Sequence, residues 1–270
     1  MQLAQQQLLK RTSDVLSFVN GLPISPQLKC HALNLQLRAH LSFLLSHHSV
    51  SSTWISSNLD NMVTGRVRHW LELPPSATAH FFPLPAKWLG LDLILPSMLS
   101  VACRLGTDLT LIHSSDPKMA VLHTLSREGL PYNKFVHLAN REMAARASKE
   151  DQVAKQLQKL DKLNVQSVLF RALRCSIPLA ELVGWSRRIS VITPSVLRFA
   201  RKALIRCLPT NSNLHVWGRL ASNTCPNCGN PETEKHVLNN CSTAAVQGRY
   251  TWRHKAVLRL SSAGHIARLK

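Results

Sequence analysis

Acidic side chains are scarce in this chain of 270 residues: 14 Asp plus Glu stand against 33 Lys plus Arg, for a formal charge of +19 and a sequence pI near 10.4. That imbalance excludes an acidic, calcium-buffering protein and fits a polyanionic partner. The seven aspartates (Asp14, Asp60, Asp92, Asp108, Asp116, Asp151 and Asp161) never stand side by side, and Glu150-Asp151 is the one acidic doublet. A polymerase or a two-metal nuclease needs clustered carboxylates to hold its ions, and no such cluster is legible. Among the 10 glycines there is no Gly-x-Gly pair, and none precedes Lys-Ser or Lys-Thr as a P-loop requires, so dinucleotide fingerprints and phosphate-cradling glycine loops are missing. The first ten residues, Met1 to Lys10, are glutamine-rich without an apolar signal core, and seven cysteines are an odd number. A secreted disulfide framework is therefore not expected, and the reading is an intracellular, nuclear protein in a reducing compartment. The most apolar window, Leu93 to Cys103, is 11 residues between Asp92 and Arg104, too short to span a bilayer.

With 45% hydrophobic residues the chain can bury a core, which argues against a disordered basic tail. Its charge is uneven. Residues 1–130 hold 10 basic and 7 acidic side chains (+3), and residues 131–270 hold 23 and 7 (+16), with no acid between Glu181 and Glu232 or after Glu234. A solubilising surface seldom needs so long a stretch of one sign, so the second half is expected to meet RNA or DNA.

Apolar periodicity is helical through most of the chain. Leu8, Val15, Leu16, Phe18 and Val19 form one stripe, Gly21-Leu22-Pro23 breaks it, and Leu33, Leu37, Leu41 and Leu44 form a second. Ser46 to Ser57, rich in Ser and His, reads as a loop; Leu59 to Leu71 reads as a helix ended by Pro74-Pro75. Phe81 to Leu91 reads as extended, and the histidines of residues 1–130 as capping or surface groups. From Leu138 to Cys175 the pattern predicts polar helices broken near Asn164, with Val153, Leu157, Leu160 and Val168 as the seam. Thr193-Pro194-Ser195 predicts a helix start, and the helix should run to Cys207. In it Arg198, Arg201, Lys202 and Arg206 recur at three and four residues, opposite Val196, Phe199, Ala200, Ala203 and Leu204. Three readings of that basic helix stand side by side: phosphate contact, a membrane-surface helix and a solvated face. Arg187 and Arg188 upstream and Arg219 downstream favour phosphate, which guanidinium groups bind bidentately.

The most specific signal is Cys225-x2-Cys228-x7-His236-x4-Cys241. Two cysteines separated by two residues converge on one ion when the chain turns tightly, which Gly229 permits. Thr233 can cap a short helix bearing His236, and Asn239-Asn240 can end it so that Cys241 swings back. Three thiolates and one imidazole make a closed tetrahedral set, so the expectation is one structural Zn2+. The remaining cysteines, Cys30, Cys103, Cys175 and Cys207, are isolated and read as buried small hydrophobes. After the cluster, Arg249, Tyr250, Trp252, Arg253, His254 and Lys255 interleave charge with aromatic rings, a composition suited to phosphate contact and base stacking.

These residues resemble a known family. The run Leu208-Pro209-Thr210-Asn211 to Trp217-Gly218, the four cluster residues and the Gly248 to His254 run are similar to the C-terminal region of non-LTR retrotransposon reverse transcriptases, nearest to those of the restriction-like endonuclease type. Val67-Arg68-His69-Trp70, Pro74-Pro75 and Leu89-Gly90-Leu91 resemble the thumb that follows the polymerase palm, with Arg68 and Trp70 matching the thumb's arginine and tryptophan. Lys87-Trp88 stands where that family often has Gly-Gly, and Lys255 where it often has an acid. The resemblance implies a mainly α chain: a helical thumb-like bundle over 1–130, a basic helical linker over 131–210, a zinc-knuckle module over 211–260 and a tail over 261–270. It further implies that Cys225, Cys228, His236 and Cys241 are the knuckle's ligands. The palm and the nuclease of the family match no part of the chain. The expectation is a zinc-stabilised segment that holds template or target nucleic acid, with no catalytic residue of its own and no membrane association. The alternatives are a part of an active RNA-directed DNA polymerase and endonuclease polyprotein, or a zinc-stapled protein-interaction module.

Overall fold

Among the described residues four prolines stand as the first residue of a helix, where a missing N–H costs nothing and the fixed φ is already helical. They are Pro26, Pro96, Pro117 and Pro194. The computed structural model describes residues 2–126, 135–138, 141–176, 193–252 and 254–255, and among these it is mainly helical. In order the helices are α1 (Gln2–Gly21), α2 (Pro26–His47), α3 (Ser52–Ile55), α4 (Asn61–Trp70), α5 (Pro96–Ile112), α6 (Pro117–Ser126), α7 (Arg141–Asp161), α8 (Val168–Ser176), α9 (Pro194–Leu204), α10 (Asn211–Val216) and α11 (Ser242–Val246). Two π turns interrupt them, Ser56–Asp60 and His236–Asn240. Among the described residues the sole β pairing is an isolated antiparallel bridge between Thr224 and Pro231, and no helix is long and apolar enough to cross a membrane.

The chain divides into two compact units, Met1–Ile205 and Arg206–Lys270. In the first, α1 packs on α2, α2 on α5, and α5 on α6 and α7. The leucines at 33, 37, 41 and 44 are all buried in α2, as are Leu8, Val15, Leu16 and Val19 in α1, whereas Phe18 of the same predicted stripe is exposed. The Ser- and His-rich stretch read as a loop is partly helical, because Ile55 and Leu59 are fully buried and draw α3 and the first π turn into one continuous path to α4. The predicted break near Asn164 falls between α7 and α8. Gly90 sits where a Cβ would collide with the Leu84 carbonyl, so the 84–93 turn closes only around glycine.

The face expected for the basic helix is corrected by the fold. In α9 the buried positions are Leu197, Arg201 and Leu204, one i, i+4, i+7 stripe, while Val196 and Phe199 are exposed. Arg201 is the buried member. Its Nη1 donates to the Leu89 carbonyl and its Nη2 to the Gly90 carbonyl at 3.0 Å, and its Cζ lies 5.9 Å from the Phe81 ring centre. Burial pushes its pKa down to about 10, which leaves it a cation at neutral pH. Arg198 and Lys202 are held by Glu72, at 3.1 and 3.7 Å.

Candidate metal centre and its surroundings

The Arg206–Lys270 unit is built around the four residues that sequence spacing singles out. The ligand atoms of Cys225, Cys228, His236 and Cys241 all lie within 4.8 Å of one another. Cys228 Sγ is 3.4 Å from His236 Nε2 and 3.9 Å from Cys241 Sγ. A tetrahedral zinc with ordinary Zn–S and Zn–N bonds requires edges of about 3.6 Å (S to N) and 3.8 Å (S to S). Donor set and spacing thus fit one structural zinc, with Nε2 as the imidazole ligand.

Each half of the site is closed by local hydrogen bonds. Cys225 N–H donates to the Asn230 carbonyl at 2.7 Å and Gly229 N–H to the Cys225 carbonyl at 2.9 Å. Gly229 has φ +73, so glycine makes the turn that points both sulfurs inward. Asn230 Nδ2 approaches Cys228 Sγ at 3.7 Å. The Asn227 backbone N–H bond lowers the Cys225 thiol to about 7. The Asn230 backbone bond lowers Cys228 as well, yet burial and the neighbouring thiols Cys225 and Cys241 outweigh it and raise this thiol. A divalent cation removes that mutual repulsion.

On the other half, Thr233 Oγ1 accepts from His236 N–H at 3.2 Å, the cap expected from sequence. An α-helix would place His236 and Cys241, five residues apart, about 140° from each other. The chain instead forms a π turn over His236–Asn240, whose i to i+5 closure brings them together, and Cys241 leaves it extended with ψ 114. Tyr250 locks this geometry. Its hydroxyl accepts from Cys241 N–H at 2.8 Å and donates to the His236 carbonyl at 3.1 Å, while its ring packs on the cluster formed by Cys225, Cys241 and Ala244.

A second layer ties α10 to the site. Thr210 accepts from Asn213 N–H at 3.3 Å, and the Glu232 carboxylate accepts from Asn211 N–H at 3.1 Å. Asn211 Nδ2 in turn donates to the Thr224 carbonyl beside Cys225, at 2.8 Å. Glu234 is buried, and its carboxyl is raised to about 7 by burial, against the Arg206 guanidinium 3.9 Å away. Sequence reading missed Tyr250 as a support and Glu232 as a cap. The signal for the first was an aromatic hydroxyl nine residues past the last ligand; the second had none, since its partner helix lies 21 residues earlier.

The other expected contact residues separate. Arg219, Arg249, Trp252 and Lys255 are exposed on the zinc unit, Trp252 at 73%. Arg198, Arg201, Lys202 and Arg206 have the intramolecular partners given above. Arg187, Arg188 and Arg253 lie outside the described residues. The comparison with curated proteins returned no match. Residues 154–247, which span all four cluster residues, match the family model for zinc-binding in reverse transcriptase, so this region is similar to the zinc-binding region of reverse transcriptases.

Proposed function

We propose that the chain is a zinc-stabilised, nucleic-acid-binding segment of a reverse transcriptase of the non-LTR, restriction-like endonuclease kind, which holds template or target RNA or DNA and performs neither polymerisation nor cleavage. The observation that carries this reading is the Cys3His cluster inside the matched region, on a unit that exposes Arg219, Arg249, Trp252 and Lys255. Zinc holds the backbone, and the exposed guanidinium, ammonium and indole groups supply phosphate contact and a stacking surface. Arg201 is left out of the contact set because its guanidinium is spent on the Leu89 and Gly90 carbonyls.

The test is affinity of the zinc-loaded chain for a single-stranded RNA and for duplex DNA across a salt series. Binding should weaken with salt, and Arg249→Ala should lower the log-log slope on single strands by about 0.7. Trp252→Ala should cost about 1–3 kcal/mol if bases stack on the indole. Affinity that ignores salt overturns the reading. The exposed Val216, Val237, Val246 and Trp252 side chains favour one competitor, a zinc-stapled protein-docking surface. In that case Trp252→Ala abolishes binding of a protein partner while nucleic acid fails to bind at low salt.

A further inference from the structure

We propose that a polar cavity in the Met1–Ile205 unit, walled by α4, residues 75–80 and α7, binds a phosphate group. The cavity measures about 410 Å³, within the range of small-ligand sites and sufficient for a nucleotide. Three parts of the chain bring cationic or protonatable groups to it: Arg68 from α4, His80 from the loop that follows, and Lys159 from α7.

The walls are fixed before any ligand arrives. Arg68 Nε donates to the Ala77 carbonyl at 2.9 Å, which orients the guanidinium while its two Nη groups, the fork that grips phosphate, make no hydrogen bond to another described residue. Gln166 pins the same 75–80 segment from another side chain, accepting from Thr78 N–H at 2.6 Å and donating to the Ser76 carbonyl at 2.8 Å. His80 Nδ1 donates to Gln156 Oε1 at 3.1 Å, leaving Nε2 to take up a proton.

Charge decides the class of ligand. Neither Arg68 nor Lys159 forms an ion pair with another described residue. Asp60, the sole carboxylate lining the cavity, accepts from the Ser97 N–H at 2.9 Å and the Ser97 hydroxyl at 2.5 Å, and it also attracts Lys159 electrostatically without closing an ion pair. Desolvation lowers both the Arg68 and the His80 pKa, and Lys159 and Arg68 lower His80 further. Arg68 is half-buried and has no ion-pair partner among the described residues, Lys159 adds an exposed cation at the rim, and a phosphate monoester matches the two in charge and in its fit to the guanidinium fork. Such a group can come from a free nucleotide or from the end of a strand. The inference does not rest on the zinc unit.

The experiment titrates inorganic phosphate, then 5′-phosphorylated and 5′-hydroxyl versions of one oligonucleotide, into the zinc-loaded full chain, following heat and the His80 imidazole resonances. Phosphate should shift those resonances. Lys159→Gln should weaken phosphate binding about tenfold, and Arg68→Lys, which keeps the charge but loses the fork, by a similar factor. Lys162→Gln removes the same charge from outside the cavity and should change it less than twofold. A preference for the phosphorylated strand identifies a strand end as the source; equal strand affinities with phosphate still bound identify a free phosphate or mononucleotide. Equal weakening by Lys159→Gln and Lys162→Gln, or unmoved His80 resonances, overturns the proposal. Should Arg68→Lys fail to fold, the two lysine variants decide.

Discussion

Tyr250 satisfies two backbone groups of the zinc site with one hydroxyl, and both groups belong to ligand residues, the Cys241 amide and the His236 carbonyl. Removing that oxygen while keeping the ring isolates its role. Tyr250→Phe should leave the four ligands in place yet weaken zinc affinity about 10–100-fold, as loss of an outer-shell partner commonly does. Competition with a chromophoric chelator reads this directly, and unchanged affinity would show that the π turn holds without it. Arg201 poses the complementary question for a cation. It is 2% exposed and bonded to two carbonyls with no carboxylate partner among the described residues, so Arg201→Ala should destabilise the first unit by about 3 kcal/mol, from stranded carbonyls and lost packing on Phe81. If it makes no phosphate contact, the salt slope of nucleic-acid binding by the folded variant stays that of the parent chain.

Between elements, the start of α5 shows how a helix is capped from outside its own sequence. Leu95 precedes Pro96 and offers no side-chain acceptor, and Asp60, at the end of the first π turn, reaches across to the Ser97 amide and hydroxyl. Asp60→Ala should cost about 1 kcal/mol, whereas Asp60→Asn keeps an acceptor for the amide and should cost less. Burial outweighs those bonds and sets the Asp60 carboxyl above the usual aspartate range. The linked stability is therefore complete below about pH 4, the unfolded value, and is lost as pH rises through the folded one. Denaturant unfolding of the parent and of Asp60→Asn between pH 3.5 and 7 checks this, since the variant should lack that fall. The same pair explains what was legible in advance. The helix start at Pro194, the leucine stripe of α2 and the Cys-x2-Cys turn depend on residues within a few positions, and sequence displays them. The Asp60 cap, the Tyr250 lock and the Glu232 contact join residues 9 to 37 positions apart, with no periodicity to announce them. In α9 periodicity misled, because Val196 with Phe199 and Leu197 with Leu204 offer two apolar directions, and only the packing of Arg201 against the 84–93 turn selects the second.

At the scale of the whole molecule, the two units have different sources of stability. The first buries long apolar stripes from α1, α2 and α4, and its described residues hold no Cys/His cluster of the kind seen in the second. The second has as its buried apolar cluster Cys225, Cys241 and Ala244, two of which are ligands, so its order depends on zinc, whose binding is worth on the order of 10 kcal/mol in peptide sites of this kind. Chelation at neutral pH should then abolish amide-exchange protection around His236, Val237 and Cys241 while leaving that of Leu33, Leu37 and Leu41 in α2 within about threefold. Cys225→Ser with Cys228→Ser should reproduce the pattern without chelator. The comparison also bears on nucleic acid, because Arg219, Arg249, Trp252 and Lys255 sit on the zinc-dependent unit. If that surface binds RNA, chelation removes binding along with the protection at His236, and added zinc restores both. RNA affinity that outlasts the loss of protection would move the binding surface to the Met1–Ile205 unit, where the phosphate cavity lined by Arg68 and Lys159 is the place to look.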